Sequence, residues 1–140
     1  MKTIRTLAAA CLIVASFAMP AHADDAEGVA EARAVIQSQL DAFVAESAED
    51  AYEFAAPNIR SMFPSAKVFG QMVKRGYPMV WSPADTEFLD AKKRGNGIVQ
   101  RLRVIDRKGR AHIAEYMMVQ VDGEWRIAGV SITRDMTFGV

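Results

Sequence analysis

Five side chains of this 140-residue chain are of types that could carry general acid–base chemistry: Asp41, His112, Tyr52, Tyr77 and Tyr116. Such chemistry needs a base with a tuned pKa and a donor directed at a developing oxyanion. Asp41 falls just outside an apolar helical stripe, which predicts a solvated residue. His112 and Tyr116 share one face of a strand, four residues apart. That separates them by about 13 Å, too far for one small substrate to be gripped by both. His112 therefore reads as a surface histidine. No catalytic residue is assigned from these spacings. An isomerase- or dehydratase-type enzyme using Tyr77, Tyr116 or Asp41 stays as an alternative.

Metal and thiol chemistry have less to work with. After residue 23 the chain holds one histidine, His112, and no cysteine. No pair of ligands has zinc spacing. Met62, Met72, Met79, Met117, Met118 and Met136 are scattered, as core-filling methionines are, instead of clustered for a soft metal. No metal and no cofactor is expected. Binding has better material. Tyr77 and Trp81 lie on a segment flanked by Pro78 and Pro83, and rigid loops carrying aromatics often line binding sites. The same rings could instead close the open end of a core with their polar ends wet. Arg101 and Arg103 could face a ligand carboxylate or simply charge the outer side of a strand. The pocket candidates are Tyr52, Tyr77, Trp81, Arg103 and Tyr116.

The elements that must position these residues begin after an export signal. Lys2 and Arg5 precede an uncharged apolar run, Leu7 to Met19, then Pro20 and the small-x-small site Ala21-His22-Ala23. The run is shorter than the roughly 20 apolar residues a permanent anchor needs. Cleavage at Cys11 as a lipoprotein would leave too short an apolar core. The reading is a signal over 1–23 and one mature domain over 24–140, periplasmic or secreted, without a stable membrane anchor. That domain has 15 basic and 17 acidic residues, a balance that gives no reason to expect nucleic acid or an anionic membrane. Nine of the acids fall in 24–56 beside one base, Arg33, as for an acidic helix next to a basic sheet. With no disulfide available, stability must come from the core.

Val29, Ala32, Ile36, Leu40 and Phe43 recur at spacings of three and four, and predict a helix over 26–46 with Val35 and Val44 widening the stripe. Ser47 caps a second helix over 48–55, Pro57 stops it, and Asn58 opens a further turn. Ser65 caps a third helix to Arg75, with Val68, Phe69, Met72 and Val73 as its apolar side and Gly76 in a left-handed C′ position. From Tyr77 to Pro83 the chain is expected to be extended. The period then changes to about two. Strands are expected over 85–92, 98–106, 110–121 and 124–134, joined at Gly95-Asn96-Gly97, Asp106-Arg107-Lys108-Gly109 and Asp122-Gly123. In the last strand Trp125 and Ile127 are out of phase with Val130 and Ile132. A bulge near Ala128-Gly129 would bring all four to one side and bend the sheet.

Helices followed by a meander make an α+β class: a long N-terminal helix and two or three short ones packed on a curved four-stranded antiparallel sheet. In this order the chain resembles the small exported bacterial proteins grouped as domain of unknown function forty-eight sixty-four. These belong with the cone-shaped nuclear-transport-factor-two-like and cystatin-like folds. The residues that carry the likeness are Ile36 to Phe43, Phe54-Ala55-Ala56-Pro57-Asn58-Ile59, Phe69 with Met72-Val73, Gly76-Tyr77-Pro78, and Asp122 to Gly129. The likeness runs over nearly all of 30–132, and the ordered set AAP, GYP and DGxWRI is its most specific piece. It implies a shape and no established activity, so it transfers no catalytic residue. The expected function is a non-catalytic domain that binds a small molecule or a protein partner, with a homodimer through the outer face of the sheet as a further possibility.

Overall fold

In the computed structural model, which describes residues 22–137 and 139, the apolar stripe lies on one long helix, α1 (His22–Val44). The expected signal, apart from His22 and Ala23, lies outside the described residues. Ala32, Ile36, Leu40 and Phe43 are buried against the sheet. Val44 does not widen the stripe as expected: it is 59% exposed, because the helix ends there and its side chain clears the packed layer. Four short helices follow, one more than the two or three expected: α2 (Ala48–Glu53), α3 (Pro57–Arg60), α4 (Ala66–Gly76) and α5 (Pro78–Trp81). Ser47 and Ser65 cap α2 and α4 by accepting from the Asp50 and Val68 amides.

The left-handed helix end expected at Gly76 is found at Glu46 instead. Glu46 has φ 56°, its N–H donates to the Phe43 carbonyl, and the Ser47 N–H donates to the Ala42 carbonyl at 2.8 Å. That is a Schellman ending with a side chain where glycine costs least. Glu46→Gly is therefore expected to raise stability by about 0.5–1 kcal/mol in urea titrations. Gly76 stays inside α4, and Tyr77, at φ −134°, serves as both the C-cap of α4 and the N-cap of α5. The segment to Trp81 is thus a helical turn and not an extended connection. Each proline restrains only the residue before it, which leaves Pro78–Trp81 free to turn and bury Val80.

The strands β1 (Asp85–Arg94), β2 (Gly97–Ile105), β3 (Ala111–Val121) and β4 (Glu124–Arg134) form one antiparallel meander in sequence order. Leu102 pairs with Ala114, Gln100 with Tyr116 and Ile98 with Met118, so the inner face of β3 is His112, Ala114, Tyr116 and Met118. Its alternate row, Ile113, Met117 and Val119, lies on the outer face. The expected bulge in β4 is present. Met117 pairs with Gly129 and Met118 with Ile127, which leaves Ala128 extra. Trp125, Ile127, Val130 and Ile132 then oppose Gln120, Met118, Tyr116 and Ala114 and share one face. A second bulge, in β1 between Phe88 and Ala91, leaves Leu89 and Asp90 together opposite Arg101. Two bulges in the edge strands curl the sheet around α1. Among the described residues no helix is long and apolar enough to cross a membrane.

The second bulge explains a polar group in the core. Gln100, fully buried on the inner face of β2, donates from Nε2 to the carbonyls of Leu89 (3.0 Å), Asp90 (3.2 Å) and Arg101 (2.7 Å). Its Oε1 accepts from Arg33 Nε of α1 at 2.9 Å, and Arg33 Nη2 also donates to the Leu89 carbonyl. The guanidinium lies 5.5 Å from the centre of the Phe88 ring. Carbonyls that the bulge removes from the ladder are thereby satisfied, and α1 is tied to β1.

Candidate functional site

Between α1, the α3–α4 region and β4 lies a cavity of about 290 Å³. Its walls are Gln39 and Phe43 of α1, Ala55, Ile59, Met62 and Phe63 around α3, Phe69, Met72 and Val73 of α4, Tyr77 and Val80 of the following turn, and Ile127, Gly129 and Val130 at the β4 bulge. No charged side chain is among them. Ten of these fourteen residues come from the segments that carry the family likeness, which sequence order alone scatters from 39 to 129.

The wall is built by local chemistry. Pro57 ends the run of amide donors at the N1 position of α3. Just before it, the Ala56 N–H donates to the Ile127 carbonyl and the Ile127 N–H to the Phe54 carbonyl, both at 2.8 Å. Ala55 thus forms a short parallel bridge on the edge of β4. Asn58 Nδ2 donates to the carbonyl of Ala128, the residue that the bulge excludes from the ladder. The AAPN segment and the WRIAG segment therefore meet at the bulge. Farther along, the Tyr52 hydroxyl shares its hydrogen between the carbonyls of Arg60 (2.8 Å) and Phe63 (3.1 Å), which pins the loop bearing Met62 and Phe63. Met62 is 69% exposed and stands at the rim.

Of the pocket candidates, Tyr77 lines the cavity. Tyr52 stands behind the wall, against Phe69 at 5.4 Å with Arg60 over its ring at 4.8 Å. Trp81 packs on Phe43 at 5.5 Å, and Lys74 lies over its outer side. Arg103 is on the outer sheet face, paired with Glu87 at 2.8 Å and Asp135 at 3.1 Å. Tyr116 is completely buried beneath α1, and its hydroxyl has no hydrogen-bond partner among the described residues. Burial pushes that phenol well above its ordinary pKa. Tyr116→Phe is expected to raise stability by about 1 kcal/mol, read from the urea midpoint, because it removes an unsatisfied buried hydroxyl. The acid–base candidates are not brought together. Asp41 is exposed and accepts from Gln37 on its own helix.

His112 corrects the expectation of a surface histidine: it is 8% exposed, with Nε2 2.9 Å from Asp106 Oδ2. Facing a carboxylate, Nε2 carries the proton and donates. Asp106 Oδ2 also accepts from Arg110 Nε, and Oδ1 accepts from the Lys108 and Arg110 amides. The carboxylate is fully engaged in closing the β2–β3 turn, a role that Asp at the head of a DRKG turn signals in sequence. The His112 hydrogen bond, ahead of the Arg110 and Lys108 contacts, holds Asp106 well below the usual carboxylate range. Asp135 is lowered to about 2 by the Thr137 hydroxyl and amide and then by Arg103. Both depressed values contribute stability that is present above pH 3.8, the ordinary value for these groups, and is lost as pH falls through the folded values. The melting temperature is expected to fall steeply between pH 4 and pH 2, and Asp135→Asn should flatten the upper part of that fall. Among the described residues no group of three His, Cys, Asp or Glu side chains is placed to hold a metal ion.

Comparison with known proteins agrees with this architecture. A family model described as domain of unknown function (DUF4864) matches residues 25–140. An NTF-2-like protein of unknown function from Burkholderia xenovorans LB400 superposes with a TM-score of 0.51 at 12% identity, over 81% of this chain and 89% of that one. A second NTF-2-like protein of unknown function, from Silicibacter pomeroyi DSS-3, gives 0.51 at 12% identity, over 79% and 98%. At such identity the likeness establishes the cone-shaped fold and nothing finer. No curated protein matches the chain.

Proposed function

We propose, from the premise that this chain belongs to the DUF4864 family, that its domain is an exported, non-catalytic binder of a small apolar molecule. The observation that carries the reading is the uncharged cavity of about 290 Å³ between α1, α4 and the β4 bulge. A concave, mostly apolar space with few polar groups is the usual form of a small-molecule site. Acid–base chemistry finds no support, since Asp41 faces solvent and the Asp106 carboxylate is saturated by its own turn. Export of residues 24–140 is supported by the basic start, the apolar run and the Ala21-His22-Ala23 site.

Native mass spectrometry of protein purified from its own cells tests the reading. A retained molecule of low polarity, absent when Met72→Trp narrows the cavity, is the expected result. Protein that is empty in every preparation and takes up no naphthalene contradicts it.

A second reading concerns the outer sheet face, where Val99 and Met117 are cross-strand partners beside Val119, and Met117 is 47% exposed. A second copy laid on this strip would cover it. Sedimentation velocity at tens of micromolar, with Met117→Lys as the control, separates a dimer from a monomer.

A further inference from the structure

The cavity's chemistry limits what can occupy it, and the limit rests on the apolar-binding reading above. We propose that the ligand is a neutral, largely hydrocarbon molecule of about ten to twelve carbons carrying at most one uncharged oxygen function. The size follows from volume. An apolar protein cavity of about 150 Å³ accepts benzene, with six carbons; this one, at about 290 Å³, is nearly twice as large. The neutrality follows from the lining. An ionised group brought among these walls would lose its water and meet no cation, a cost that ordinarily excludes it.

The oxygen function follows from two polar groups. Tyr77 lines the cavity half-buried, and its hydroxyl makes no hydrogen bond within the described residues. Gln39, buried in the wall, uses Nε2 to hold the Ala51 carbonyl at 3.1 Å. Its amide oxygen has no such bond there. The phenol can donate and the amide oxygen can only accept, so together they serve a single hydroxyl, whereas a carbonyl would use the phenol alone. They cannot neutralise a carboxylate or a phosphate. Met62 and Met72, unbranched and polarisable, let the walls adapt to either a flat ring or a bent chain.

Three probes with one carbon skeleton test this at pH 7.5: naphthalene, 2-naphthol and 2-naphthoate, titrated by fluorescence against the mature chain. The expected order is naphthol tightest, naphthalene next and naphthoate at least about tenfold weaker than naphthol. Tyr77→Phe should weaken naphthol about three- to tenfold and leave naphthalene unchanged, consistent with loss of one hydrogen bond. Naphthoate binding as tightly as naphthol overturns the neutral-ligand inference and leaves the apolar-binding reading intact. Failure of all three probes to bind overturns the binding reading itself. Met72→Trp should abolish naphthalene binding, and Ile59→Trp replaces it if that variant does not fold. Binding that survives whichever wall variant folds places the probe outside the cavity and overturns both.

Discussion

Phe43→Ala is expected to lower the stability of the domain by about 3–5 kcal/mol, the range for removing a large buried aromatic. Phe43 is where the helical stripe, the α4–α5 turn and the cavity meet. It is 2% exposed, with the Trp81 ring centre 5.5 Å away and the Phe69 ring 6.1 Å away. Truncation removes both ring contacts and enlarges a space that is already empty, so the neighbours have little to collapse onto. For a domain of ordinary stability, about 5–15 kcal/mol, such a loss moves the urea midpoint far enough to measure directly. A change under about 1 kcal/mol would mean that the end of α1 is not packed against α4 and α5 as described.

Gln100→Leu should cost about 3 kcal/mol, although it places a hydrophobic residue at a fully buried position. The substitution strips the Gln100 donor from the Asp90 carbonyl at the β1 bulge, leaves the Leu89 carbonyl with Arg33 Nη2 alone, and takes from Arg33 Nε the amide oxygen it bonds. Buried polar groups left without partners carry their full desolvation penalty. The double variant Arg33→Met with Gln100→Leu should recover about 1 kcal/mol relative to the sum of the single losses, because the two residues belong to one network. Additive losses would show that the two side chains act independently.

These two residues illustrate how much of the molecule the sequence displays. Phe43 lies in a run whose period is unmistakable, and the placement of α1, the strand boundaries and the Ala128 bulge all follow from spacing. A phase error between Trp125-Ile127 and Val130-Ile132 has only one economical remedy, an extra residue in the strand. Gln100 is different. Its burial depends on a bulge in β1, and nothing in the alternation of β1 marks that bulge. Likewise, both rows of β3 are apolar enough to face a core, and only the register with Leu102 and Val104 chooses between them.

The cavity was legible only in pieces. Tyr77 carries a visible signal, an aromatic beside a proline. Ile59, Met62 and Phe63 sit between Pro57 and Pro64, where an apolar cluster in an otherwise turn-like segment is the clue that could have found them. Gln39 offers no signal, since a polar residue one turn from Phe43 reads as helix surface. Gly129 and Val130 join the wall through the bulge and its carbonyl bond to Asn58, a long-range arrangement. His112 reads as a surface residue in the sequence because its partner, Asp106, is supplied by the turn and not by the strand pattern.

The methionines provide the most direct test of the central claim, that the cavity beside α4 and the β4 bulge takes up a small apolar molecule. Naphthalene titrated into mature protein carrying carbon-13 methyl-labelled methionine should shift the Met62 and Met72 resonances, which belong to the cavity wall. Met117 on the outer sheet face and Met136 near the C-terminus should stay where they are. Shifts confined to Met117 and Met136, or none at saturating naphthalene, would contradict the account.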